Sequence, residues 1–312
     1  MDNTPICGIY DVYHLHETIQ MSQTHIVLQD SELRLDAYCL GFIPNCTSRS
    51  QAKKWIKAGH VLVNTLHKPP SYFPKKDDVL FFQQPESTIP AYTIPIAIHY
   101  EDDDCAVVYK PAGLHVSGNY PRTLRRALIH NITPSTQRTR LPQPEPTHRL
   151  DRRTSGLVLV AKTSIAAHRF GTAFAERKIQ KKYRALVLGK ATDGESREPL
   201  QEKEAHTTWK VIEHGRSLHT EYNTILEVTP HTGRTHQIRK HLHHTGHPIL
   251  GDDLYHNGLI RKDKGLFLSA IELVFHHPQQ DKQINVSVDQ PPKFSKFLHR
   301  EHHRYLRFHG EL

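Results

Sequence analysis

The segment that decides the fold reads HRLDRRTSGLVLVA and runs from His148 to Ala161. Its second half, residues 157–161, is an uninterrupted apolar run, which is typical of a strand buried in a core. The TSG sequence before it, residues 154–156, predicts a tight turn. We therefore expect Asp151 in a loop just before a core strand, which is a rigid place to hold a reacting group.

Three arginines surround Asp151 in the sequence, namely Arg149, Arg152 and Arg153. Nearby positive charge keeps a carboxylate ionised, and guanidinium groups can also hold RNA phosphates. The alternative is a structural turn carboxylate paired with an arginine, which is the usual role of an aspartate in a loop. Spacing alone favours that structural interpretation.

A second strand pattern covers residues 181–189, which read KKYRALVLG. Alternation in a strand places Tyr183, Ala185 and Val187 on one face. A flat ring followed by small or aliphatic residues can stack on a nucleic-acid base, an interaction worth about 1–3 kcal/mol. The alternative for Tyr183 is a core tyrosine with a satisfied hydroxyl group.

A helix with a basic edge is predicted for residues 235–244, and Gly246 closes it. Its apolar face carries Thr235, Ile238 and Leu242. Arg239 borders that face and needs a carboxylate, because a buried unpaired charge is very costly. Asp151 is a candidate partner, although the sequence alone does not bring the two residues together.

The composition suits a polyanionic partner. The chain has 41 Lys and Arg against 32 Asp and Glu, a net charge of +9, and neutralised phosphates release condensed counterions. No apolar run approaches the roughly 20 residues of a membrane helix. The N-terminus also lacks the basic and then apolar pattern of a secretory signal. We expect a cytoplasmic monomer with no membrane partner.

The 26 histidines make a histidine-rich metallohydrolase one alternative function. The clusters at 241–247 and 276–277 lack a ligating spacing such as H-E-x-x-H. The cysteines show no CxxC spacing and are expected to be reduced thiols. These are Cys7, Cys39, Cys46 and Cys105. We expect no metal and no cofactor.

The chain divides into four predicted parts. Residues 1–29 lack clean periodicity and are expected to form an N-terminal extension, whereas residues 30–84 form a small module. Residues 85–96 contain three prolines and are expected to be a linker. Residues 97–312 alternate β-rich and helical stretches without a β-α-β rhythm, which favours an α+β sheet domain over a doubly wound one.

The small module is predicted to contain two helices and two strands. The first helix is expected at residues 33–40. Its apolar face carries Leu33, Ala37 and Leu40. Ser48 and Gln51 form a capping box that opens the second helix, which ends at Gly59. The strands are expected at residues 61–64 and 77–82.

A basic stripe lies on the second helix, where Arg49, Lys53 and Lys57 are spaced by four. Such a stripe is either an RNA contact or a solvated face. The strings RLD at 34–36, SRSQA at 48–52 and IKAGHVLVN at 56–64 resemble the RNA-binding domain named after ribosomal protein S-four. The resemblance implies that Arg34 and the stripe face structured RNA. Thr65 stands where that family usually has glycine.

The segments at 99–113, 148–161, 181–189 and 233–252, in this order, resemble the RluA-type pseudouridine synthases. The strings HRLDRRTSGL and GRTHQIR are highly specific as a pair. The resemblance implies an α+β protein: a mixed, largely antiparallel β-sheet catalytic domain with flanking helices, plus a small α/β RNA-binding module at the N-terminus. It also implies an enzyme that isomerises uridine in RNA without a cofactor.

The same resemblance implies roles for individual residues. Asp151 takes the position of the catalytic aspartate, Tyr183 that of the ring stacked on the target base, and Arg239 that of the arginine paired with the aspartate. Ile238 is the apolar neighbour in the pocket, and Arg149 can enter the gap left by the flipped nucleotide. Further RNA-binding candidates are Arg152, Arg153 and Arg234.

Pseudouridine formation detaches uracil from its ribose, turns it and rejoins it through carbon five, so the base must first leave its stack. A carboxylate can act as nucleophile or assist glycosidic cleavage, and attack at base or sugar stays open. The proton that leaves carbon five has no assigned acceptor. The S-four-like module favours large-subunit ribosomal RNA over transfer RNA as substrate. The alternative is a non-catalytic RNA-binding or ribosome-assembly factor.

Overall fold

The chain folds as two units, Met1–Thr88 and Ile89–Leu312. The computed structural model describes residues 22–43, 46, 48–83, 92–256 and 265–311. Each unit has its own hydrophobic core. Most of the predicted linker at residues 85–96 lies outside the described residues.

The N-terminal unit combines a three-stranded sheet with two helices. In chain order these are β1 (Ser22–Ile26), α1 (Leu35–Phe42), α2 (Arg49–Lys57), β2 (Val61–Val63) and β3 (Val79–Gln83). Strand β3 pairs antiparallel with both β1 and β2. The hydroxyl of Ser48 accepts a hydrogen bond from the backbone N–H of Gln51, which confirms the predicted start of α2.

The predicted apolar face of the first helix is wrong. Helix α1 begins two residues later than expected, at Leu35, and the residues spaced three and four from Leu35 form the side that faces the core. Its buried residues are Leu35, Asp36, Cys39 and Phe42. Leu33 lies before the helix and is exposed, and Leu40 is exposed as well.

The strands of this unit also differ from the sequence pattern. Strand β1 lies within residues 1–29, which were expected to be an extension. The sequence does not predict this strand because SQTHI shows no apolar alternation. Strand β2 ends at Val63 because Asn64 (φ 51°) and Thr65 (φ 64°) have left-handed backbone. Strand β3 begins after Asp77, which is left-handed too (φ 67°).

The larger unit is built on a ten-stranded mixed sheet. Its first half contains β4 (Ala97–Glu101), β5 (Cys105–Lys110), α3 (Leu124–Asn131), β6 (Arg140–Pro146), β7 (Ser155–Thr163), α4 (Ser164–Ala175) and β8 (Gln180–Leu188). Its second half contains β9 (Gly194–Ser196), β10 (Thr207–Ser217), β11 (Glu221–Pro230), α5 (Gln237–His244), β12 (Leu268–His276), β13 (Gln283–Ser287) and α6 (Lys293–His309).

The strand order is β4-β5-β7-β12-β8-β11-β10-β9, with β6 paired to β7 and β13 to β12. Strands β7 and β12 are parallel, and the other pairs described are antiparallel. The predicted fold class is therefore confirmed as α+β with a largely antiparallel sheet and flanking helices. The parallel pair lies in the middle of the sheet.

Strand β7 is the predicted core strand, and all nine of its residues are buried. Leu157 and Leu159 join a core with Phe170 of α4, whereas Val158 and Val160 join the core that includes α3. Both faces of the strand are therefore covered, which explains its continuous apolar run.

Gly156 allows the close parallel pairing of β7 with β12. Its φ is +123°, and a Cβ there would lie 2.2 Å from the backbone oxygen of Ala270. No side chain fits at that distance, so glycine allows the two backbones to approach where the Asp151 loop enters the sheet.

Candidate active site

The loop that carries Asp151 is fixed by a buried lysine. Lys110 ends β5 and is fully buried, and its Nζ donates to three backbone carbonyls, those of Pro111, Leu114 and Arg152. Burial lowers the pKa of Lys110 to about 8, while the nearby Asp151 carboxylate acts in the opposite direction. The loop thus has its backbone held from beneath by a side chain that water does not reach.

Asp151 has a cation on one side and an imidazole on the other. Its Oδ2 lies 3.5 Å from Nη1 of Arg239, and its Oδ1 lies 3.7 Å from Nε2 of His236. The carboxylate is one-fifth exposed. It is therefore neither buried in the core nor free in solvent, and its oxygens are open toward a ligand.

Arg239 is held by a carboxylate that the sequence did not single out. Its guanidinium donates two hydrogen bonds of 2.7 Å to Asp252, and both side chains are buried. Burial by itself raises the pKa of Asp252, but the bonds from Arg239 and from two backbone N–H groups outweigh it and lower that pKa. The bidentate pair leaves Nη1 of Arg239 pointing to Asp151.

The turn before α5 is anchored by Gln237. Its Oε1 accepts from the Arg234 backbone N–H and the Thr232 hydroxyl, and its Nε2 donates to His206 O and Thr207 Oγ1. Helix α5 begins at Gln237, because His236 is left-handed with φ 56°. The predicted start at Thr235 is therefore wrong, and Thr235 is exposed.

Tyr183 lies on β8, paired with Ala270 of β12 and Val228 of β11. Its ring is mostly buried and lines the same pocket as Asp151. Burial raises the pKa of its hydroxyl, and the Asp151 carboxylate raises it further. The phenol therefore stays neutral at any physiological pH and offers a flat ring rather than a base.

These residues enclose a pocket of about 130 Å³. Asp151, Tyr183, His236, Ile238 and Arg239 are among the lining residues, and Asp151 is the only carboxylate among those that the structure describes. A pocket with one carboxylate, one aromatic ring and several cations fits a planar, polar base attached to a phosphate backbone.

A wider groove of about 980 Å³ adjoins this pocket and shares Lys181, Tyr183 and other wall residues with it. Its cationic lining consists of Arg149, Arg177, Lys181, Lys182 and Arg234. No carboxylate occurs among its described lining residues. Arg177 is ion-paired with Glu204, and Lys182 with Glu227 and Glu272. The positive charge that can meet phosphates is therefore concentrated on Arg149, Lys181 and Arg234.

Comparisons with known proteins agree with this geometry. The family model described as RNA pseudouridylate synthase matches residues 104–244, and the S4 domain model matches residues 33–80. An RNA pseudouridine synthase of Aquifex aeolicus is 35% identical over 299 residues, which is 86% of this chain and 93% of the relative. The chain belongs to the RNA pseudouridine synthase family.

A second relative is the ribosomal large subunit pseudouridine synthase D of Yersinia pestis, 35% identical over 282 residues and 83% of each chain. Among solved structures, human RNA pseudouridylate synthase domain containing 1 is similar, with a TM-score of 0.52 and 27% identity. That match covers 67% of this chain and 88% of the human one. The RluA-type and S-four-like resemblances are thereby confirmed, and the protein is an enzyme, an isomerase acting on RNA.

The predicted RNA-binding arginines of the catalytic unit fall into two groups. Arg149 and Arg234 line both the pocket and the adjoining groove. Arg152 and Arg153 instead line a separate hollow together with Asp253. Arg153 is ion-paired with Asp253 and donates to Gly251 O at 3.0 Å. Only the first group thus reaches the pocket of Asp151.

The basic stripe of the N-terminal unit is partly directed at a buried acid. Asp36 is fully buried, with Arg49 at 3.2 Å, Lys53 at 3.5 Å and Arg34 at 3.9 Å from its oxygens. The three cations are about half exposed, so they stabilise Asp36 and still face solvent. Lys57 is exposed at the end of α2.

One group of possible metal ligands occurs within the described ranges, formed by Asp102, Cys105 and His277. The Nδ1 of His277 accepts from the backbone N–H groups of Gln279 and Gln280, and its Nε2 lies 2.8 Å from Asp102. Both ring nitrogens thus have protein partners, and the group connects the sheet edge to the β12–β13 turn.

No described helix is long and apolar enough to span a membrane.

Sequence reasoning missed Asp252, His236, Gln237 and Lys181. His236 and Gln237 lie within the GRTHQIR string that was recognised, but periodicity does not show which of its side chains face the pocket. Asp252 follows Gly251 in a loop, where no spacing rule marks it as the partner of Arg239. Lys181 starts the Tyr183 strand pattern, and alternation along a strand does not show that its side chain lines the pocket.

Proposed function

We propose that this enzyme converts uridine to pseudouridine in structured RNA with Asp151 as its catalytic carboxylate. The observation that carries the proposal is that Asp151 provides the only carboxylate on the described pocket wall, opposite a buried aromatic ring. A nucleophile or glycosidic-bond catalyst must be ionised and within reach of the reacting carbon. Nη1 of Arg239 lies 3.5 Å from Oδ2 of Asp151, close enough to orient the carboxylate and to stabilise its negative charge.

Arg239 and Tyr183 act around that carboxylate. Because Asp252 holds two nitrogens of Arg239, the guanidinium cannot swing away when substrate enters, and Asp151 keeps its orientation. Tyr183 stacks on the detached uracil and holds it in the pocket while the base turns. Ile238 supplies the apolar wall opposite the polar edge of the base. Rigid contacts from these residues keep the reacting atoms of Asp151 and the substrate aligned.

The target nucleotide must leave its stack before it fits a pocket of this size. Arg149 is exposed at the mouth of the pocket, where its guanidinium can occupy the space that the flipped base leaves. The adjoining cationic groove takes the phosphates next to the target. Arg152, Arg153 and the stripe residues Arg49, Lys53 and Lys57 add contacts to more distant phosphates, together with Arg34.

Large-subunit ribosomal RNA is the proposed substrate. The support is the name of the Yersinia pestis relative, 35% identical over 83% of this chain, together with the S4 domain match. Folded ribosomal RNA offers loops whose uridines are already weakly stacked, which lowers the energy needed for flipping.

The test is to map pseudouridines in total RNA from cells with and without this protein. We expect a few positions in large-subunit ribosomal RNA to lose pseudouridine in the deletion and to regain it with the wild-type chain. Restoration must fail with Asp151→Asn and succeed with Asp289→Asn, which changes a carboxylate outside the pocket wall. Loss confined to transfer RNA would overturn the proposed substrate, and no change in any RNA would overturn the proposed activity.

A further inference from the structure

His236 lies in the pocket wall in an unusual backbone conformation. Its φ of 56° is left-handed, which costs a non-glycine residue about 1–3 kcal/mol unless its surroundings hold it in place. The neighbouring Gln237 provides that anchorage through its four hydrogen bonds to the β10–β11 region and the turn. The conformation places the imidazole beside Asp151, with about one-quarter of the side chain exposed.

The two nitrogens of this ring have different environments. Nδ1 shares a hydrogen bond of 3.0 Å with the hydroxyl of Tyr255, and Nε2 lies 3.7 Å from Oδ1 of Asp151. When Nδ1 carries the proton and donates it to Tyr255, Nε2 presents a free lone pair to the pocket. In that tautomer the hydrogen bond fixes the ring plane and leaves Nε2 as the proton-accepting nitrogen that faces the pocket.

The reaction needs such an acceptor. Once carbon five is bonded to the ribose, it still carries its original hydrogen, which must leave as a proton. Of the pocket-lining groups, the guanidinium groups of Arg149, Arg234 and Arg239 offer donors and no acceptor. The Tyr183 hydroxyl is neutral and only weakly basic, and Asp151 is already engaged as the nucleophile or glycosidic-bond catalyst. Lys181 is the other pocket-lining amine to consider. It lies where the pocket meets the cationic groove, with its Nζ 5.7 Å from the ring centre of Phe174, and the test below distinguishes it from His236.

We propose that Nε2 of His236 accepts the proton that leaves carbon five of the target uracil. The inference rests on the proposed function and adds a catalytic residue to it. The C5–H bond breaks, an N–H bond forms at Nε2, and the released electron pair forms the C5=C6 double bond. If Asp151 is then bonded to carbon six, it leaves with the C6–O pair. If it is not, the C6=N1 pair moves to N1, which takes a proton from water.

The charges around His236 suit this transfer. Burial lowers its pKa below the ordinary 6.5, the Asp151 carboxylate raises it, and Arg239 lowers it; Asp252 raises it and Lys240 lowers it. The ring is therefore neutral at pH 7 and can accept a proton. Once it is protonated, the carboxylate of released Asp151 lies 3.7 Å away and stabilises the imidazolium until water takes the proton.

The test compares RNA containing ordinary uridine with RNA containing uridine deuterated at carbon five. We expect His236→Gln to lower kcat by about 10²–10⁴-fold, the range for loss of a general base. We also expect kcat of this variant to show a primary isotope effect that the wild type lacks, because proton removal has become rate-limiting. Imidazole added to His236→Ala should restore part of the rate.

The control is His244→Gln, which changes an exposed histidine of the same helix that pairs with Glu198. It should keep the wild-type kcat. Tyr255→Phe, which removes only the ring-orienting hydroxyl, should show a smaller isotope effect, and it serves if His236→Gln fails to fold.

A wild-type kcat in His236→Gln would overturn the proposal, and so would a lowered kcat without an isotope effect. An isotope effect in Lys181→Met instead would transfer the role to Lys181. These results are separate from failure of the proposed function, which shows itself as product formation by Asp151→Asn or as no product from the wild type.

Discussion

At the scale of single residues, the site depends on how the guanidinium of Arg239 is shared between two carboxylates, Asp151 and Asp252. Arg239 faces Asp151, but its two short hydrogen bonds go to Asp252. The oxygens of Asp151 therefore stay available to a ligand, while Asp252 carries the bidentate ion pair with Arg239.

Asp252→Asn should weaken both the fold and the reaction. Loss of two charge-assisted hydrogen bonds lowers the free energy of unfolding at pH 7 by roughly 2 kcal/mol, since such bonds contribute about 1.5–3 kcal/mol each in buried sites and the amide keeps part of the interaction. We expect kcat to fall at least about tenfold, because Arg239 then no longer orients Asp151. Urea unfolding and single-turnover kinetics measure the two effects.

The stability difference between wild type and Asp252→Asn should depend on pH, because the pKa of Asp252 is lowered in the folded protein. A carboxyl group with a folded pKa below its ordinary 3.8 stabilises the protein above that value, and the contribution is lost as the pH falls through the folded pKa. The stability difference between wild type and Asp252→Asn should thus be constant from pH 7 to 5 and shrink below about pH 4. A difference that grows toward low pH would contradict the assigned direction.

At the scale of elements, the parallel pairing of β7 with β12 positions the loop that carries Asp151. Asp151 lies four residues before the first residue of β7, and Gly156 is the second residue of that strand. Because a Cβ at Gly156 would overlap the backbone of Ala270, any side chain there forces the two central strands apart.

Gly156→Ala should therefore destabilise the protein by about 3 kcal/mol or more, from steric overlap and from a φ that alanine disfavours. Activity should fall further than the folded fraction, because the Asp151 loop shifts with the strand. Gly171→Ala is the matched control: Gly171 lies in α4 with open space at its Cβ, so alanine should raise stability by about 0.5–1 kcal/mol. Equal effects of the two changes on Tm would refute the role assigned to Gly156 in the pairing of β7 with β12.

Elements were predictable from the sequence where periodicity was strong. The apolar run of β7, the Tyr183 strand and the capped helix α2 all have patterns that local physics produces. Strand β1 was missed because its SQTHI sequence is paired by tertiary contact rather than by its own propensity. The start of α5 was misplaced because the left-handed turn at His236 is held by Gln237, and long-range anchors leave no trace in spacing.

At the scale of the whole molecule, the distribution of charge points to RNA. The net charge of +9 is visible in the sequence, but the groove that concentrates it beside the pocket is not, because its cations come from loops and strands far apart in the chain. The partnership of Arg239 with Asp252 was unpredictable for the same reason. The structure also separates Arg152 and Arg153 from the pocket, although they are adjacent to Asp151 in sequence.

The groove should set the salt dependence of RNA binding. We expect the double change Arg149→Gln and Lys181→Gln to reduce the slope of log affinity against log salt by about 2, one unit for each phosphate that is no longer neutralised. Lys282→Gln, an exposed lysine on the β12–β13 turn, should leave the slope unchanged. Filter binding between about 50 and 200 mM salt covers the informative range. An unaltered slope in the double variant would mean that the groove is only a solvated surface.

The most direct test of the central claim is product formation by purified Asp151→Asn on ribosomal RNA that lacks the modification. We predict no detectable pseudouridine, RNA affinity within about twofold of wild type, and full activity in the Asp289→Asn control. Pseudouridine formed by Asp151→Asn at a rate near that of the wild type would contradict the assignment of Asp151 as the catalytic carboxylate.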